Sequence, residues 1–289
     1  MYKRQSLQDE DVWVDVMKPS AAESVWKLMS NKADDVAKFI SVSDFYAGVM
    51  KEKMSLPAEK VTSVHIGVDP ADYTFKPVSE KKRNIGYVSR MCHSNGLDIL
   101  VDAFILLKKK EGFDDVNLVL TGGSTGDDKK FLHDLRGRLR ENDLQKQVEF
   151  HEDFEEDGLR EYLEKVAVVS VPVRNGEAFG IYLLECMASG IPVVQPALGA
   201  FPEIVELAGG GVIFKENSPE SLALALEKLL SDPKEMDRLS RAGKEGVDKH
   251  FHIDVQAERM VEVYQSAISA HKENISAHKE NISAHKANS

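Results

Sequence analysis

The sequence predicts an α/β protein built on a parallel, doubly wound sheet with helices on both faces, and three observations carry the prediction. Strand-length apolar runs alternate with helix-length amphipathic runs from residue 85 to residue 230, the order that produces parallel crossovers. One run, 166–173 (VAVVSVPV), is apolar almost throughout, as in strands covered on both faces. Glycines fall where strands give way to helices, at Gly122, Gly123, Gly176 and Gly180, where the backbone must turn sharply.

Composition narrows the class. With 289 residues, 42% of them hydrophobic, the chain can bury one large core or two modest ones, and more than one folding unit is expected. A net charge of −11 disfavours nucleic acid or an anionic membrane as the main partner, while leaving room for a local basic pocket. Cys92 and Cys186 form neither a CxxC pair nor part of a His/Cys set with metal-ligand spacing. Neither a disulfide scaffold nor a structural zinc is therefore expected, and a reducing, cytoplasmic location is. No apolar run approaches the roughly 20 residues of a membrane span, and no signal-peptide pattern opens the chain. Peripheral contact with a membrane surface stays open.

In chain order, residues 1–5 (MYKRQ) read as foreign to the rest of the chain: as codons they fit GTG-TAT-AAG-AGA-CAG, a transposon sequencing adapter opened by a GTG start. The other reading is a natural polar N-terminus. Residues 6–66 predict a remnant of a first Rossmann-like, acceptor-side domain. Ala22, Val25, Trp26 and Met29 recur at helical spacing, with Ser20 as candidate N-cap. A strand at 38–43, a helix at 44–54 and a second strand at 61–66 come after it. Two strands are too few for an independent doubly wound domain, whose sheets usually have about five or six, so a truncated unit is expected. Residues 67–80, with Pro70, Pro77 and no periodicity, predict a linker.

The second domain, 81–250, begins with a strand at 85–88, a helix at 96–110, a strand at 116–120, a helix at 128–142 and a strand at 148–150. A helix at 158–165, the strand 166–173, a helix after Gly180 and a strand before Pro196 come next. Helix 200–207, strand 211–214, helix 219–230 capped by Ser218, and helix 232–249 complete it. A helix at 251–267 carries Val255, Met260, Val263 and Tyr264 as its apolar positions. Residues 268–289 repeat ISAHKEN, with one large apolar residue in seven, too few for a coiled-coil seam, and predict a solvated, frayed extension. His271, His278 and His285 stand about 10 Å apart along a helix, too far to share a metal ion, and the sequons at Asn274 and Asn281 read as coincidence.

Parallel sheets bind ligands beyond the carboxyl ends of their strands, and three loops there carry chemistry: 89–96 (SRMCHSNG), 121–124 (TGGS) and 174–180 (RNGEAFG). At the third, the N–H groups of Phe179, Gly180 and Ile181 and the dipole of the helix they open suit a phosphate or diphosphate. Glu185 comes about 7.5 Å further along that helix, at 1.5 Å per residue, and as an acceptor-only group could hold a ribose diol. Glu177 would face a sugar on the other side of the diphosphate. The same acids also read as a dipole partner and a solvated helix residue, and Arg90 as an ordinary surface ion pair.

The run 177–194 (EAFGIYLLECMASGIPVV) resembles the E-x7-E block of glycosyltransferase family 4, retaining enzymes of the GT-B fold. Residues 199–205 (GAFPEIV) resemble the family's next block, and Arg90 with Asn95-Gly96-Leu97 resembles its arginine and lysine-glycine site. The resemblance spans about residues 39–264 and implies two Rossmann-like domains, with a UDP- or GDP-linked sugar held mainly by the C-terminal one. It further implies a hydroxyl acceptor, no metal and no other cofactor. Carried over, Arg90 and Glu177 are the catalytic residues, and Asn95, Gly122, Gly123, Ala178, Phe179, Gly180, Ile181 and Glu185 bind the donor. Asn95 stands where the family usually has lysine, removing one of two charges toward the diphosphate, and Lys81 or Lys82 are the candidates to replace it. The implied chemistry is departure of the nucleoside diphosphate through an oxocarbenium-like transition state, with acceptor attack on the same face to transfer a hexosyl group. The chain alone is expected to transfer little. A sugar-nucleotide epimerase and a non-catalytic sugar-nucleotide-binding subunit are the alternative readings.

Overall fold

The computed structural model describes residues 3–151 and 156–287, with side chains at 5–151 and 158–270. The chain divides into two compact units, Met1–Ile66 with Ile253–Ser289, and Gly67–His252.

The first unit holds a parallel sheet of β1 (Lys3–Leu7), β2 (Val36–Ser41) and β3 (Val61–Ser63), in that order. The sequence predicts only the last two. β1 is an edge strand whose one large apolar residue, Leu7, is fully buried, so its pattern carries too little alternation to be recognised. Part of the segment 1–5 thus belongs to the sheet, while residues 1 and 2 lie outside the described residues. Three helices accompany these strands: α1 (Glu10–Val14), α2 (Pro19–Asn31) and α3 (Asp44–Met54). In α2 the expected face of Ala22, Val25, Trp26 and Met29 is half-buried, but Ser20 is not the cap. Lys18 occupies that position because Pro19, with no N–H to satisfy and φ already helical, takes the first helical place. In α3 the Ser43 hydroxyl accepts from the Tyr46 amide at 3.0 Å, and Ser55 at φ 52° ends the helix. The last helix runs Ile253–Ala287 through the repeat, where a frayed extension is expected. Ala, Lys and Glu are strong helix formers, so propensity carries the helix past the point where its apolar stripe ends. The side chains of His271, His278, His285, Asn274 and Asn281 lie outside those described.

The second unit is a six-stranded parallel sheet of β4 (Ile85–Val88), β5 (Leu118–Thr121), β6 (Val148–His151), β7 (Val168–Val169), β8 (Val193–Pro196) and β9 (Gly211–Phe214). Their spatial order is β6-β5-β4-β7-β8-β9. The connecting helices are α4 (Leu97–Lys108), α5 (Lys129–Glu141), α6 (Glu156–Lys165), α7 (Ile181–Ala188), α8 (Phe201–Ala208), α9 (Pro219–Leu230) and α10 (Pro233–His250). Ile85, Tyr87, Val119, Val168, Val169, Val193 and Val194 are completely buried, as a sheet covered on both faces requires. This is the α/β architecture of a parallel, doubly wound sheet that the sequence predicts.

Two expectations need correction. The buried run 166–173 pairs in the sheet only at Val168–Val169, because Pro172 has no N–H for a ladder and the chain leaves the sheet before it. Side chains satisfy the departing backbone: Gln195 Oε1 accepts from the Val171 amide at 3.2 Å, and Asn217 donates to the Val173 carbonyl at 2.8 Å. Residues 67–80, expected as a linker, pack as part of this unit. The Phe75 ring lies against Gly190, the Lys76 amide donates to the Ser189 carbonyl at 3.4 Å, and Pro70 and Val78 are buried. Anchors at such irregular spacing leave no periodic trace.

α10 crosses α8 closely at Gly246, where a Cβ would stand 2.1 Å from the Ala208 carbonyl oxygen and 2.5 Å from its Cα. Gly246→Ala gains helix propensity of about 1 kcal/mol, yet the two backbones must separate to admit it. We expect a net loss of about 1–3 kcal/mol, read as a lower urea midpoint at unchanged m-value.

Candidate functional site

In the order β6-β5-β4-β7-β8-β9 the winding reverses between β4 and β7, since β5 and β6 lie to one side of β4, and β7, β8 and β9 to the other. Loops leaving the carboxyl ends of β4 and β7 therefore diverge and open a crevice. A cavity of about 620 Å³ occupies it, lined by Val88, Ser89, Arg90, Gly122, Leu159, Ile181, Tyr182 and Glu185. Four of the residues singled out from sequence, Arg90, Gly122, Ile181 and Glu185, thus meet around one space although they come from three separate loops or helices.

Arg90 is reached by a turn that Gly122 makes possible. Gly122 sits at φ 125°, and a Cβ there would stand 2.0 Å from the Ser89 carbonyl oxygen, so only glycine lets the two loops touch. The guanidinium is half exposed and is held from one side by Asp128, whose side chain is only 8% exposed. Arg90 Nε and Nη2 donate to Asp128 at 3.0–3.2 Å, and Nη2 also donates to the Thr125 hydroxyl at 2.9 Å. Burial alone would push the Asp128 carboxyl up, but the Thr125 amide and hydroxyl and the Arg90 charge outweigh it and hold the group below its ordinary value. The pairing leaves Nη1 without a partner among the described residues. Arg90 forms the ion pair that one sequence reading expects, and it also lines the cavity.

α7 opens with Gly180 at φ 89° in the N-cap position and no capping side chain, so the amides of Ile181 and Tyr182 and the positive end of its dipole are available at the cavity, while the Leu183 amide donates to the Gly180 carbonyl at 3.0 Å. The carboxylate of Glu177 folds over Gly180, since a Cβ there would stand 3.0 Å from Glu177 Oε2. Burial, with Glu177 nearby, pushes the Tyr182 phenol well up. Ala178 and Phe179 are buried side chains, 3% and 4% exposed, that anchor the loop in the core and leave only their main chain to a ligand. Gly123 accepts from the Met91 amide at 2.9 Å, tying the 121–124 loop to the Arg90 loop.

Glu185 lines the cavity as the fifth residue of α7, and Tyr73 donates its hydroxyl to Glu185 Oε1 at 3.1 Å. Burial raises the Glu185 carboxyl above its ordinary value, and the Tyr73 hydrogen bond opposes the rise. Asn95 does not line the cavity. Its amide donates to the Ser89 hydroxyl at 2.8 Å and the Arg90 carbonyl at 3.3 Å, bracing the loop that bears the arginine. Neither candidate replacement cation lines the cavity. Lys81 donates to the Leu163 carbonyl at 2.9 Å in a separate small cavity, where burial brings its pKa down to about 8, and Lys82 is exposed. Among the described residues, Arg90 is the one cation lining the cavity.

The sequence reading misses Thr125, Asp128 and Tyr73. The first two had a signal in the capping box of Thr125 and Asp128, three residues apart after the Gly122-Gly123 turn. Among the described residues no group of three His, Cys, Asp or Glu side chains could hold a metal ion, and no helix is long and apolar enough to cross a membrane.

Solved structures share this architecture. The chain superposes on the Anabaena protein HepE, crystallised with UDP and glucose, with a TM-score of 0.76 over 91% of this chain and 71% of that one, at 19% identity. It also matches the C-terminal domain of a glycosyl transferase group 1 family protein from Francisella tularensis, with a TM-score of 0.59 at 25% identity, over 65% of this chain and 100% of that one. These parallel α/β sheets are those of GT-B glycosyltransferases. Residues 71–246 match the family described as "Glycosyl transferases group 1", and the chain belongs to that family. Among curated relatives, a D-inositol 3-phosphate glycosyltransferase of Jonesia denitrificans is 27% identical over 244 residues, covering 79% of this chain and 57% of the relative. The lipopolysaccharide core biosynthesis mannosyltransferase LpsB of Rhizobium meliloti is 27% identical over 224 residues, covering 76% and 59%. The chain spans little more than half the length of these relatives.

The raised Glu185 carboxyl has a stability consequence. Between its ordinary value of 4.5 and its higher folded value, the folded chain binds more protons than the unfolded one, so stability falls as pH rises through that window. Glu185→Gln, which cannot ionise, should raise the melting temperature at neutral pH, and the gain should vanish below pH 4.5, as scanning calorimetry across pH would read.

Proposed function

We propose that the second unit is the donor-binding half of a retaining glycosyltransferase that moves a hexosyl group from a UDP- or GDP-sugar to an acceptor hydroxyl in glycan or glycoconjugate synthesis. The observation that carries the reading is the set of groups around one cavity at the winding reversal: an arginine, an uncapped helix N-terminus and, one turn further along that helix, an acceptor-only carboxylate. The spacing matches a diphosphate and its ribose. Membership of the group 1 family supports it.

In this reading the diphosphate sits between Arg90 Nη1 and the first-turn amides of α7, with Gly122 and Gly123 allowing close backbone approach. Glu185 accepts from the ribose hydroxyls, and Glu177, at the edge of the loop, faces the transferred sugar. Catalysis rests on electrostatic stabilisation of the departing diphosphate as the glycosidic bond lengthens, supplied by fixed dipoles and one guanidinium. Glu177 would balance the positive charge developing at the sugar carbon. The acceptor then attacks from the face the diphosphate leaves. Asn95 is braced within its loop rather than facing the cavity, which favours as a second reading a unit that binds the sugar nucleotide without transferring it.

Calorimetry of this chain with UDP and GDP tests binding, and heat from neither would refute it. In the complete enzyme, Arg90→Ala should cost about 3–4 kcal/mol of transition-state stabilisation, a fall in kcat of roughly two to three orders of magnitude. Unchanged turnover would remove Arg90 from the mechanism.

A further inference from the structure

Tyr73 comes from the segment 67–80, far in sequence from the loops that build the cavity, yet its hydroxyl lies 3.1 Å from Glu185 Oε1, on a residue 112 positions away. The contact is built. Asp69 caps the turn that carries Tyr73 by accepting from the Ala71 amide at 2.9 Å, and Pro70 in that turn is buried. Beyond Tyr73, Phe75 packs on Gly190 and the Lys76 amide donates to the carbonyl of Ser189, the C-cap of α7. The strap is thus pinned along the far half of the helix that bears Glu185, and the phenol reaches up to the carboxylate.

We propose that Tyr73 is a positioning residue of the donor site: its hydroxyl fixes Glu185 through Oε1, so that Oε2 is presented to the paired hydroxyls of the nucleotide's ribose. The inference rests on the reading of Glu185 as the ribose acceptor. Burial favours the protonated form of this carboxyl, and a proton on Oε2 would stop that oxygen from accepting from both ribose hydroxyls. The Tyr73 bond opposes that proton. The other groups facing the pair do not replace it. Cys186 on the same helix is completely buried and held as the thiol, with Lys81 and its neighbours Lys76 and Glu164 on that side, and Asp72 and Arg160 face Tyr73. Among the described residues no cation stands within ion-pair distance of Glu185.

Tyr73→Phe keeps the ring and removes the bond, so it tests the hydroxyl alone. Two measurements on the full chain are needed. Carbon-13 NMR titration of the Glu185 carboxyl reads the coupling without any ligand: the variant should titrate at higher pH than the parent, and an unchanged titration overturns the proposal. Calorimetry with UDP and GDP between about pH 5 and pH 8 reads the function. The variant should bind about five- to tenfold more weakly near neutrality and lose affinity at a higher pH than the parent does. Glu185→Gln should bind weakly at every pH, and adding Tyr73→Phe to it should change nothing further. A binding profile for Tyr73→Phe equal to the parent's, beside a weakened Glu185→Gln, would reduce Tyr73 to packing while leaving the ribose reading intact. Full affinity in Glu185→Gln would instead overturn the ribose reading, and Tyr73's role with it.

Discussion

The reversal of winding between β4 and β7 is the constraint on which the second unit depends. Parallel strands need crossovers, and a right-handed crossover can add strands on either side of the first but cannot return across it without leaving a gap. At that gap a cavity lined by residues of α6, α7 and the loops after β4 and β5 opens beyond the carboxyl ends. The loops after β4 and β7 must satisfy their own backbone groups, and they do so against each other: Arg174 donates its amide to the Ser94 carbonyl at 3.0 Å, and its guanidinium holds Asp98 at 2.7 and 2.9 Å. The crevice is thereby rigid at its outer rim and open toward Arg90 and α7.

Within that frame the cavity's electrostatics are set by how its one arginine is held. Asp128 takes the Nε–Nη2 edge of the Arg90 guanidinium, which fixes its plane and partly neutralises it. Because the pair is half exposed on the arginine side, its contribution to stability is small, and orientation is the larger effect. An oriented guanidinium and an uncapped helix end are both preorganised: neither needs to move when charge develops. Glu185 runs the other way. It is buried against its ionisation preference, so the site carries a local instability that a fold selected for stability alone would have removed.

Much of this was legible in the sequence, for reasons that separate by distance along the chain. Helix α3, strand β4, strand β9 and helix α9 with its Ser218 cap fall where local pattern puts them, because each is specified by residues within a few positions. Arg90 and Glu185 were legible as candidates because Arg90 follows the end of a strand and Glu185 stands eight positions after Glu177 on the helix that follows it, and topology then brings them together. β1 was not, because an edge strand with one buried residue has no pattern to read. Nor was the brief pairing of β7, where a run that is apolar for burial leaves the sheet, and long-range partners from Gln195 and Asn217 take over. Asp128 and Tyr73 act on residues 38 and 112 positions away, and no spacing rule reaches that far.

Asn95 shows how such distant contacts alter what a motif position means. A lysine there would direct a mobile charge at a ligand, whereas the asparagine amide ties the Ser89 hydroxyl to the Arg90 carbonyl, and the Tyr87 hydroxyl donates to that same carbonyl at 2.8 Å. The loop exchanges a second cation for a stiffer mount on the first. With Lys81 turned to the Leu163 carbonyl in another cavity, nothing among the described lining residues restores the lost charge. If the proposed diphosphate binds there, the helix terminus at Gly180 would carry a larger share of its charge than a two-cation site would ask of it. A helix dipole is worth about half an elementary charge and fades within its first turn. In the proposed reading a ligand held this way would be placed by geometry more than by attraction, and the Asp128 contact on Arg90 and the Tyr73 contact on Glu185 would then matter more than the site's net charge.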